Sequence, residues 1–304
     1  TSVQDMAPLM PGVSDWKVCS DHYHRYKEDI ELMAEMGFTE FRFSIAWPRI
    51  IPDVDGEVNQ VAVDHYHDVI DECLKHGIEP VVTLYHFDLP YALQEKYGGW
   101  INRQCIDDFV RYCEVCFEEY GSKVQYFLTI NEQNMMTMFN MGGYETDKER
   151  YQANHYMLVA MAKATIRCHE MTNAWIAPAP NITCVYPASS SPLDQLAAMD
   201  YDQLRNRTYL DTIVFGEYPE AFKEYLVQRD MFPDDVTVED MAVMKAAHPD
   251  FIAFNYYGGS TVKYVNNEDG LAAKAKMGGV KSLDEGMKDA DPRRMKDFMT
   301  GFMT

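Results

Sequence analysis

The stretch Tyr126-Phe127-Leu128-Thr129-Ile130-Asn131-Glu132 reads as a buried strand that ends in an amide beside a carboxylate. Its run of apolar and β-branched residues has the length and composition of a strand in a parallel sheet. This segment alone leaves two interpretations of its end open. Asn131 and Glu132 could cap the helix that follows, or Glu132 could be a functional acid.

The same stretch belongs to a regular alternation of helices and strands. Amphipathic helices lead into short apolar strands, and several of these helices end at a glycine, which is the pattern of a parallel sheet covered on both faces. The predicted helices are 22–36, 61–75, 103–120 and 149–171, with further helices between 194 and 244. The predicted strands are 40–47, 79–86, 126–132, 174–178 and 250–257.

This alternation predicts one α/β domain over residues 1–304. The expected architecture is a TIM (β/α)8 barrel, and an open doubly wound sheet is the alternative. A complete barrel has eight strands. Because only about five are visible, we expect the barrel to be incomplete in this chain. Residues 278–304 show no strand pattern and are predicted to form a loop and one helix.

Composition limits the classes of partner. Asp and Glu number 48 against 27 Lys and Arg, a formal charge of -21, so we expect no nucleic-acid partner. No apolar run has the length of a membrane span and no basic-then-apolar leader precedes the acidic start, so we expect no membrane association and a cytoplasmic location. The seven cysteines are odd in number and scattered, which is typical of reduced thiols.

The sequence predicts neither a metal site nor a cofactor site. Cys113 and Cys116 form a C-x-x-C pair, but the apolar residues around them recur at helical spacing and no second pair completes a zinc site. Core packing is the expected role of both thiols. No glycine-rich phosphate loop follows a predicted strand, which argues against an enzyme that uses a nucleotide.

Polar residues interrupt or end the predicted strands. In a parallel barrel the functional groups lie at the carboxyl ends of the strands. Each polar residue alone also suits a hydrogen-bonded core or capping group, but their equivalent positions predict one shared site. These residues are Arg42 in the first strand, His86 and Asp88 after the second, Asn131 and Glu132 after the third, and Asn255, Tyr256 and Tyr257 in the last.

Such a set of side chains suits a neutral polyhydroxylated substrate. Amide, imidazole and acid groups bind sugar hydroxyls, and indoles such as Trp47 and Trp100 can stack on the apolar face of a sugar. Cleavage of a glycosidic bond needs two carboxyl groups. Glu132 is the first candidate, and no second candidate is visible in the sequence.

Five spaced motifs resemble glycoside hydrolase family 1, the β-glucosidases and 6-phospho-β-glucosidases, over nearly the whole chain. The motifs are 21–29, 41–50, 86–90 with 98–100, 131–132, and 255–257. The resemblance implies that Glu132 is the general acid/base of a retaining double-displacement mechanism. It also implies a set of substrate-binding residues: Asn131 at the sugar 2-hydroxyl, His86 at another hydroxyl, Arg42 and Tyr257 beside the nucleophile, and Asn255 and Trp47.

The chain departs from the family pattern in three places. The first strand, with its sugar-binding glutamine, and the seventh and eighth strands, which carry the Thr-Glu-Asn-Gly nucleophile and a tryptophan-rich platform, are not found. The nucleophile is therefore unassigned. We expect a fragment. The alternatives are a chain completed by a complementing segment or a homo-oligomer, and a catalytically inactive sugar-binding or scaffold remnant.

A further departure concerns the substrate. The common Asn-Glu-Pro of the family is Asn131-Glu132-Gln133 here, followed by Asn134-Met135-Met136. This variant looks more like the phospho-glucosidase branch. The expected partner is thus a small β-glucoside, with a 6-phospho-β-glucoside as the favoured subclass.

Overall fold

The computed structural model describes residues 1–8, 12, 15, 18–54 and 56–264. The predicted loop and helix at 278–304 lie outside the described residues. Within them the strands are β1 Glu40–Ser44, β2 Glu79–Tyr85, β3 Tyr126–Asn131, β4 Trp175–Ala179, β5 Asn181–Pro187 and β6 Asn255–Val262. The helices are α1 Val3–Met6, α2 His22–Glu35, α3 Trp47–Ile50, α4 Gln60–Lys75, α5 Tyr91–Tyr97, α6 Gln104–Tyr120, α7 Gln133–Met138, α8 Asp147–Met171, α9 Pro192–Asp202, α10 Thr208–Phe215, α11 Glu220–Val227 and α12 Val238–Ala246.

The strands follow one another in parallel, as in a TIM barrel. β1, β2, β3 and β4 pair in sequence order, and β5 pairs with β6. Pro180 alone separates β4 from β5. The Asn255 N–H donates to the Pro180 carbonyl at 2.9 Å. The second pair of strands therefore continues the first sheet, and the described residues form part of a (β/α)8 barrel.

The structure corrects the boundaries of two predicted strands and adds one strand that was not predicted. β1 ends at Ser44, because Pro48 lies in the first turn of α3 and so begins a helix instead of stopping a strand. β5 was not predicted, since prolines at 178 and 180 interrupt the apolar pattern. The last predicted strand, 250–257, is placed about five residues too early, because the ladder with β5 begins at the pair Asn181 and Asn255.

An aromatic cluster lies under the carboxyl ends of β1 and β2. Trp47 is 1% exposed and stacks on Tyr112, with ring centroids 5.4 Å apart and an interplanar angle of 13°. The Tyr112 hydroxyl donates to the carbonyls of Ile45 at 2.8 Å and Leu84 at 2.9 Å. Trp47 was expected to bind substrate, and the structure places it in this core instead, where it supports the strand ends.

The two thiols of the C-x-x-C pair also lie in the core. Cys113 and Cys116 are on the inner face of α6, each with 0% exposure. Burial raises the pKa of both thiols, which disfavours the thiolate that metals and redox reactions need. The helical spacing around them predicted this packing role.

A buried ionic network joins the outer helices. Arg103 lies at the start of α6 and donates to Asp240 with both terminal nitrogens, Nη1 to Oδ1 at 2.8 Å and Nη2 to Oδ2 at 2.6 Å. His155 of α8 contacts Asp240 Oδ2 through Nε2 at 3.2 Å and the Tyr218 hydroxyl through Nδ1 at 2.9 Å. Burial would raise the pKa of Asp240, but these hydrogen bonds outweigh it and hold that pKa well below its usual range.

Candidate active site

Five of the predicted site residues form one hydrogen-bonded network, which lies at the carboxyl ends of β1, β2 and β3 and at the start of β6. Arg42 is its centre: Nε donates to Thr83 Oγ1 at 2.9 Å, and Nη2 donates to Asn131 Oδ1 at 2.7 Å. Nη1 donates to Asn255 Oδ1 at 2.9 Å. The network therefore joins β1, β2, β3 and β6 at a single point. It consists of Arg42, His86, Asn131, Glu132 and Asn255.

The charge of Arg42 has neutral hydrogen-bond partners. Its three acceptors are a hydroxyl and two amide oxygens, and no carboxylate within the described part of the chain forms a salt bridge with it. Burial lowers the pKa of Arg42, and Tyr257 and Glu132 oppose this shift. A guanidinium stays protonated despite such a shift. Arg42 therefore presents a positive charge that favours an anion beside it.

Glu132 has an unusual backbone conformation. Its φ of 48° and ψ of 43° lie in the left-handed region, which a residue with a side chain enters at a free-energy cost. It occupies the N-cap position of α7, but its side chain makes no capping hydrogen bond. Instead, Oε1 accepts from Asn181 Nδ2 at 2.9 Å and from Asn255 Nδ2 at 2.8 Å. The structure therefore does not support the interpretation of Glu132 as a capping residue.

His86 is oriented by its neighbours. The Oδ1 atom of Asn131 accepts from Arg42 and Asn255, so the amide nitrogen of Asn131 faces His86 Nε2 at 3.1 Å. Nε2 is then the acceptor, and Nδ1 carries the proton toward Ser44 Oγ at 3.4 Å. Burial and the charge of Arg42 lower the pKa of His86, and Glu132 opposes them. A neutral imidazole fits both contacts.

Two other predicted residues lie outside this hydrogen-bonded network. Tyr257 is 76% exposed and lies two residues beyond Asn255, close enough to Arg42 to affect its pKa. Trp47 lies in the core described above. Asn255 and Tyr257 begin β6, whereas the sequence placed them at the end of a strand.

Asp88 organises the turn after β2. Its Oδ1 accepts the His86 backbone N–H at 3.1 Å. Burial raises the pKa of Asp88 to about 6, and hydrogen bonds from backbone N–H groups limit the rise. The Asp88 carboxyl therefore helps to hold the backbone of His86 in position.

The sequence did not single out two polar residues of the site. Asn181 directly follows Pro180 at the carboxyl end of β4, so the rule applied to the other strands identifies it once the strand is known. Arg205 lies on a single π-helical turn, Gln203–Arg207, and contacts Asn181. No strand end marks its position, so the sequence gives no comparable signal for Arg205.

The part of the chain that the structure describes holds no group of three His, Cys, Asp or Glu side chains that could bind a metal ion. Among the same residues, no helix has the length and apolar character needed to cross a membrane.

The fold and the position of this network define the class of the protein: a TIM-barrel protein with its polar groups at the carboxyl ends of the strands. The chain belongs to glycosyl hydrolase family 1, whose sequence profile matches residues 8–302.

Similar proteins include bacterial and plant glucosidases. The aryl-phospho-β-D-glucosidase BglC of Bacillus subtilis is 38% identical over 283 residues, 89% of this chain and 59% of the relative. A 6-phospho-β-glucosidase of Dickeya chrysanthemi is 42% identical over 264 residues, 83% of this chain and 56% of the relative. The crystal structure of the rice β-glucosidase Os3BGlu6 superposes with a TM-score of 0.80 at 34% identity and covers 88% of this chain and 60% of the rice chain.

These alignments span between 56% and 60% of the length of the relatives. A mutant of the rice enzyme has also been solved in a covalent complex with Glc from GA4GE.

Proposed function

We propose that the protein containing this chain hydrolyses the β-glycosidic bond of small β-glucosides, with 6-phospho-β-glucosides as the preferred subclass. The observation that carries this proposal is the Glu132 carboxylate, held by two amide donors among the strand ends. The names of the two bacterial relatives support the phosphorylated subclass. Family membership supports the reaction type.

Glu132 is proposed as the general acid and base of a retaining double displacement. Both hydrogen bonds from the described residues converge on Oε1, which leaves Oε2 to exchange a proton with the substrate. In the first step Glu132 protonates the glycosidic oxygen while a nucleophile bonds to the anomeric carbon, and the bond between that carbon and the glycosidic oxygen breaks, releasing the aglycone as an alcohol. In the second step Glu132 takes a proton from water, and the water oxygen displaces the nucleophile. The covalent glucose complex of the rice relative supports this sequence.

The neighbouring side chains are proposed to hold the sugar and the nucleophile. Asn131 and His86 offer an amide and an imidazole to sugar hydroxyls, and Asn255 offers a second amide. The charge of Arg42, whose hydrogen-bond partners are neutral, supports a carboxylate nucleophile beside it, with Tyr257 on the other side. The nucleophile itself is not assigned to a described residue.

The substrate, the location and the association state of the protein are also proposals. A small-molecule substrate and a cytoplasmic location are proposed. Association with a complementing segment or a second copy is also proposed, because α9 exposes an apolar stripe of Leu193, Leu196 and Met199, with exposed fractions of 50%, 55% and 66%. Sedimentation analysis of the chain tests association with a second copy, and a monomer at micromolar concentration would contradict that association.

Substitution of Glu132 tests the acid role. Glu132→Gln keeps the shape of the side chain and its acceptor oxygen but removes the exchangeable proton. We expect kcat/KM for an alkyl β-glucoside, whose leaving group needs protonation, to fall by roughly 100- to 10,000-fold. For a dinitrophenyl glucoside, whose leaving group is acidic, the fall in the first step should be slight. Glu31→Gln, on the exposed face of α2, is the matched control and should leave both rates unchanged.

The phosphate preference has its own test. Rates with 4-nitrophenyl β-glucoside and its 6-phosphate are compared at the same concentrations. A preference of roughly tenfold or more for the phosphorylated substrate supports the proposed subclass. A preference for the neutral sugar would restrict the proposal to β-glucosides. Binding of either sugar without turnover would favour the alternative of a catalytically inactive sugar-binding protein.

A further inference from the structure

Two arginines reach the same oxygen of Glu132, each through an asparagine. On one side Arg42 donates to Asn255 Oδ1, and Asn255 Nδ2 donates to Glu132 Oε1 at 2.8 Å. On the other side Arg205 donates through Nη2 to Asn181 Oδ1, and Asn181 Nδ2 donates to Glu132 Oε1 at 2.9 Å. The two arrangements have the same hydrogen-bond order, although Arg205 comes from a helical segment between α9 and α10 and Arg42 comes from a strand.

The contact with Arg205 fixes which way the Asn181 amide points. An asparagine side chain has an acceptor oxygen and a donor nitrogen of nearly equal size. If the Asn181 amide turned over, its nitrogen would face the guanidinium, donor against donor, and its oxygen would face the Glu132 carboxylate. The Arg205 contact therefore selects the orientation in which Asn181 donates to Glu132.

The backbone of Asn181 is held independently of this contact. Asn134 accepts the Asn181 N–H through Oδ1 at 3.0 Å and donates from Nδ2 to the Asn181 carbonyl at 2.7 Å. Arg205 Nη1 also donates to that carbonyl, at 2.6 Å. Since two hydrogen bonds from Asn134 remain without Arg205, the distinctive role of the guanidinium is at the side chain of Asn181.

The position of Arg205 is costly for a charge. The residue is 7% exposed, and its hydrogen-bond partners are the two oxygens of Asn181, the side chain of Tyr201 and, at 3.9 Å, the sulfur of Met135, with no carboxylate among them in the described part of the chain. Burial lowers the pKa of Arg205, and Tyr201, Tyr209 and Glu132 oppose the shift. A buried guanidinium without a bonded carboxylate lowers stability, so packing alone does not explain its presence.

We propose that Arg205 is a positioning residue for Glu132. It holds the Asn181 amide with its N–H on Oε1, which keeps the carboxyl plane fixed and directs Oε2 toward the glycosidic oxygen. This inference rests on the proposed function of Glu132. It adds a residue from outside the strand ends to the machinery that orients the acid.

Other charged or titratable groups face this part of the site and stay in place in the test. Arg42 on β1 and His86 after β2 interact electrostatically with Glu132, and Tyr257 on β6 interacts with Arg42. Tyr201 and Tyr209 face Arg205. A change in pH dependence on substitution of Arg205 must therefore be compared with a variant that leaves all of these groups intact.

The kinetic test uses Arg205→Met, which keeps a side chain of similar length and removes the donors and the charge. Arg207→Met is the matched control, because Arg207 lies on the same π-helical turn with a side chain that is 61% exposed. For an alkyl β-glucoside we expect kcat/KM to fall by roughly tenfold in Arg205→Met. The basic limb of the kcat/KM profile should move to higher pH, because Asn181 is no longer held as a donor to the carboxylate. Arg207→Met should match the wild type in both respects.

A double substitution separates positioning from general disruption. If Arg205 acts through Asn181, then Arg205→Met in an Asn181→Ala background changes kcat/KM by less than about twofold beyond Asn181→Ala alone. Additive losses in kcat/KM would overturn the proposal, because they would show that Arg205 affects the reaction independently of Asn181. An unchanged rate and pH profile in folded Arg205→Met would overturn it as well.

A final measurement does not depend on activity. In protein labelled with 15N-asparagine, the side-chain amide protons of Asn181 should exchange with solvent roughly tenfold faster in Arg205→Met than in the wild type or Arg207→Met. Equal exchange rates would overturn the positioning role. If the wild type hydrolyses no β-glucoside but this difference is found, the proposed function fails while the Arg205–Asn181 coupling stands.

Discussion

Arg42 Nη1 donates a 2.9 Å hydrogen bond to Asn255 Oδ1 across 213 positions of the chain. The two residues belong to β1 and β6, the first and last strands in the described order. In a flat sheet, four spacings of about 4.8 Å would separate these strands by roughly 19 Å. Direct contact therefore requires a sheet curved as in a barrel, which an open doubly wound sheet would not provide.

Arg42 should be needed for activity more than for stability. Arg42→Met removes the donors that orient Asn131 and Asn255, so kcat/KM should fall by roughly 100-fold. The melting temperature should change little, because the side chain lies at the open end of the sheet. Arg229→Met is the control, since Arg229 is exposed and lies over the Tyr225 ring at 3.9 Å. A large loss of stability in Arg42→Met would make it a structural residue instead.

Asp88 should make stability depend on pH. Its pKa in the folded protein is raised from 3.8 to about 6, so its favourable contribution is present below the unfolded value and is lost as pH rises through the folded value. Asp88→Asn removes this dependence. The free energy of unfolding of the variant, relative to wild type, should rise by about 2–3 kcal/mol between pH 4 and pH 7.5. Urea denaturation at both pH values measures it, and a constant difference would contradict the burial of this carboxyl.

The network around Asp240 should be important for stability. Asp240→Asn weakens the two hydrogen bonds from Arg103 and removes the buried carboxylate of the network, while Asp235 still accepts from Arg103 Nε at 2.7 Å. The expected loss is about 1–3 kcal/mol in the free energy of unfolding. Asp234→Asn, at an exposed salt bridge with Lys148, is the control and should leave the denaturation curve unchanged. Similar curves for the two variants would show that the buried network contributes no more than a surface pair.

Trp47 should behave as a core residue. Trp47→Ala removes a stacked indole that is 1% exposed, and a loss of about 3–5 kcal/mol is expected. Glucose affinity of the remaining folded protein, measured by calorimetry below the melting transition, should stay within about threefold of wild type. A selective loss of sugar binding with normal stability would restore the role in substrate binding that the sequence suggested.

The sequence predicted much of this arrangement because two simple rules apply to it. Helical and strand periodicities differ, so the order of the strands and long helices up to β4 can be predicted from the chain, whereas the short helices α1, α3, α5 and α7 were not predicted. Parallel strands bring their carboxyl ends together, so Arg42, His86 and Glu132 could be assigned to one site before any coordinates. The substrate-binding role predicted for Trp47 does not fit its burial in the core. A tryptophan near a strand end suits a sugar platform and a core equally well. Here Trp47 begins the short helix α3, with Pro48 in the same first turn.

The rest of the site depends on features that local patterns do not show. Pro178 and Pro180 interrupt the apolar run, so β5 was missed, and Asn181 with it. Arg205 reaches the site from a π-helical turn that packs directly on α9 and β5. A buried arginine of this kind cannot be distinguished from a surface arginine by spacing alone, because Arg205 and Arg207 lie two positions apart with opposite exposure.

The most direct test of the central claim is the product that Glu132→Ala forms with azide from an activated aryl β-glucoside. If Glu132 is the acid/base of a retaining enzyme, azide enters the space of the missing carboxyl and attacks the glycosyl-enzyme, so the product is the β-glucosyl azide. NMR of the anomeric proton identifies it. Formation of the α-glucosyl azide would show that Glu132 is the nucleophile, and no azide product at all would contradict its place in the reaction.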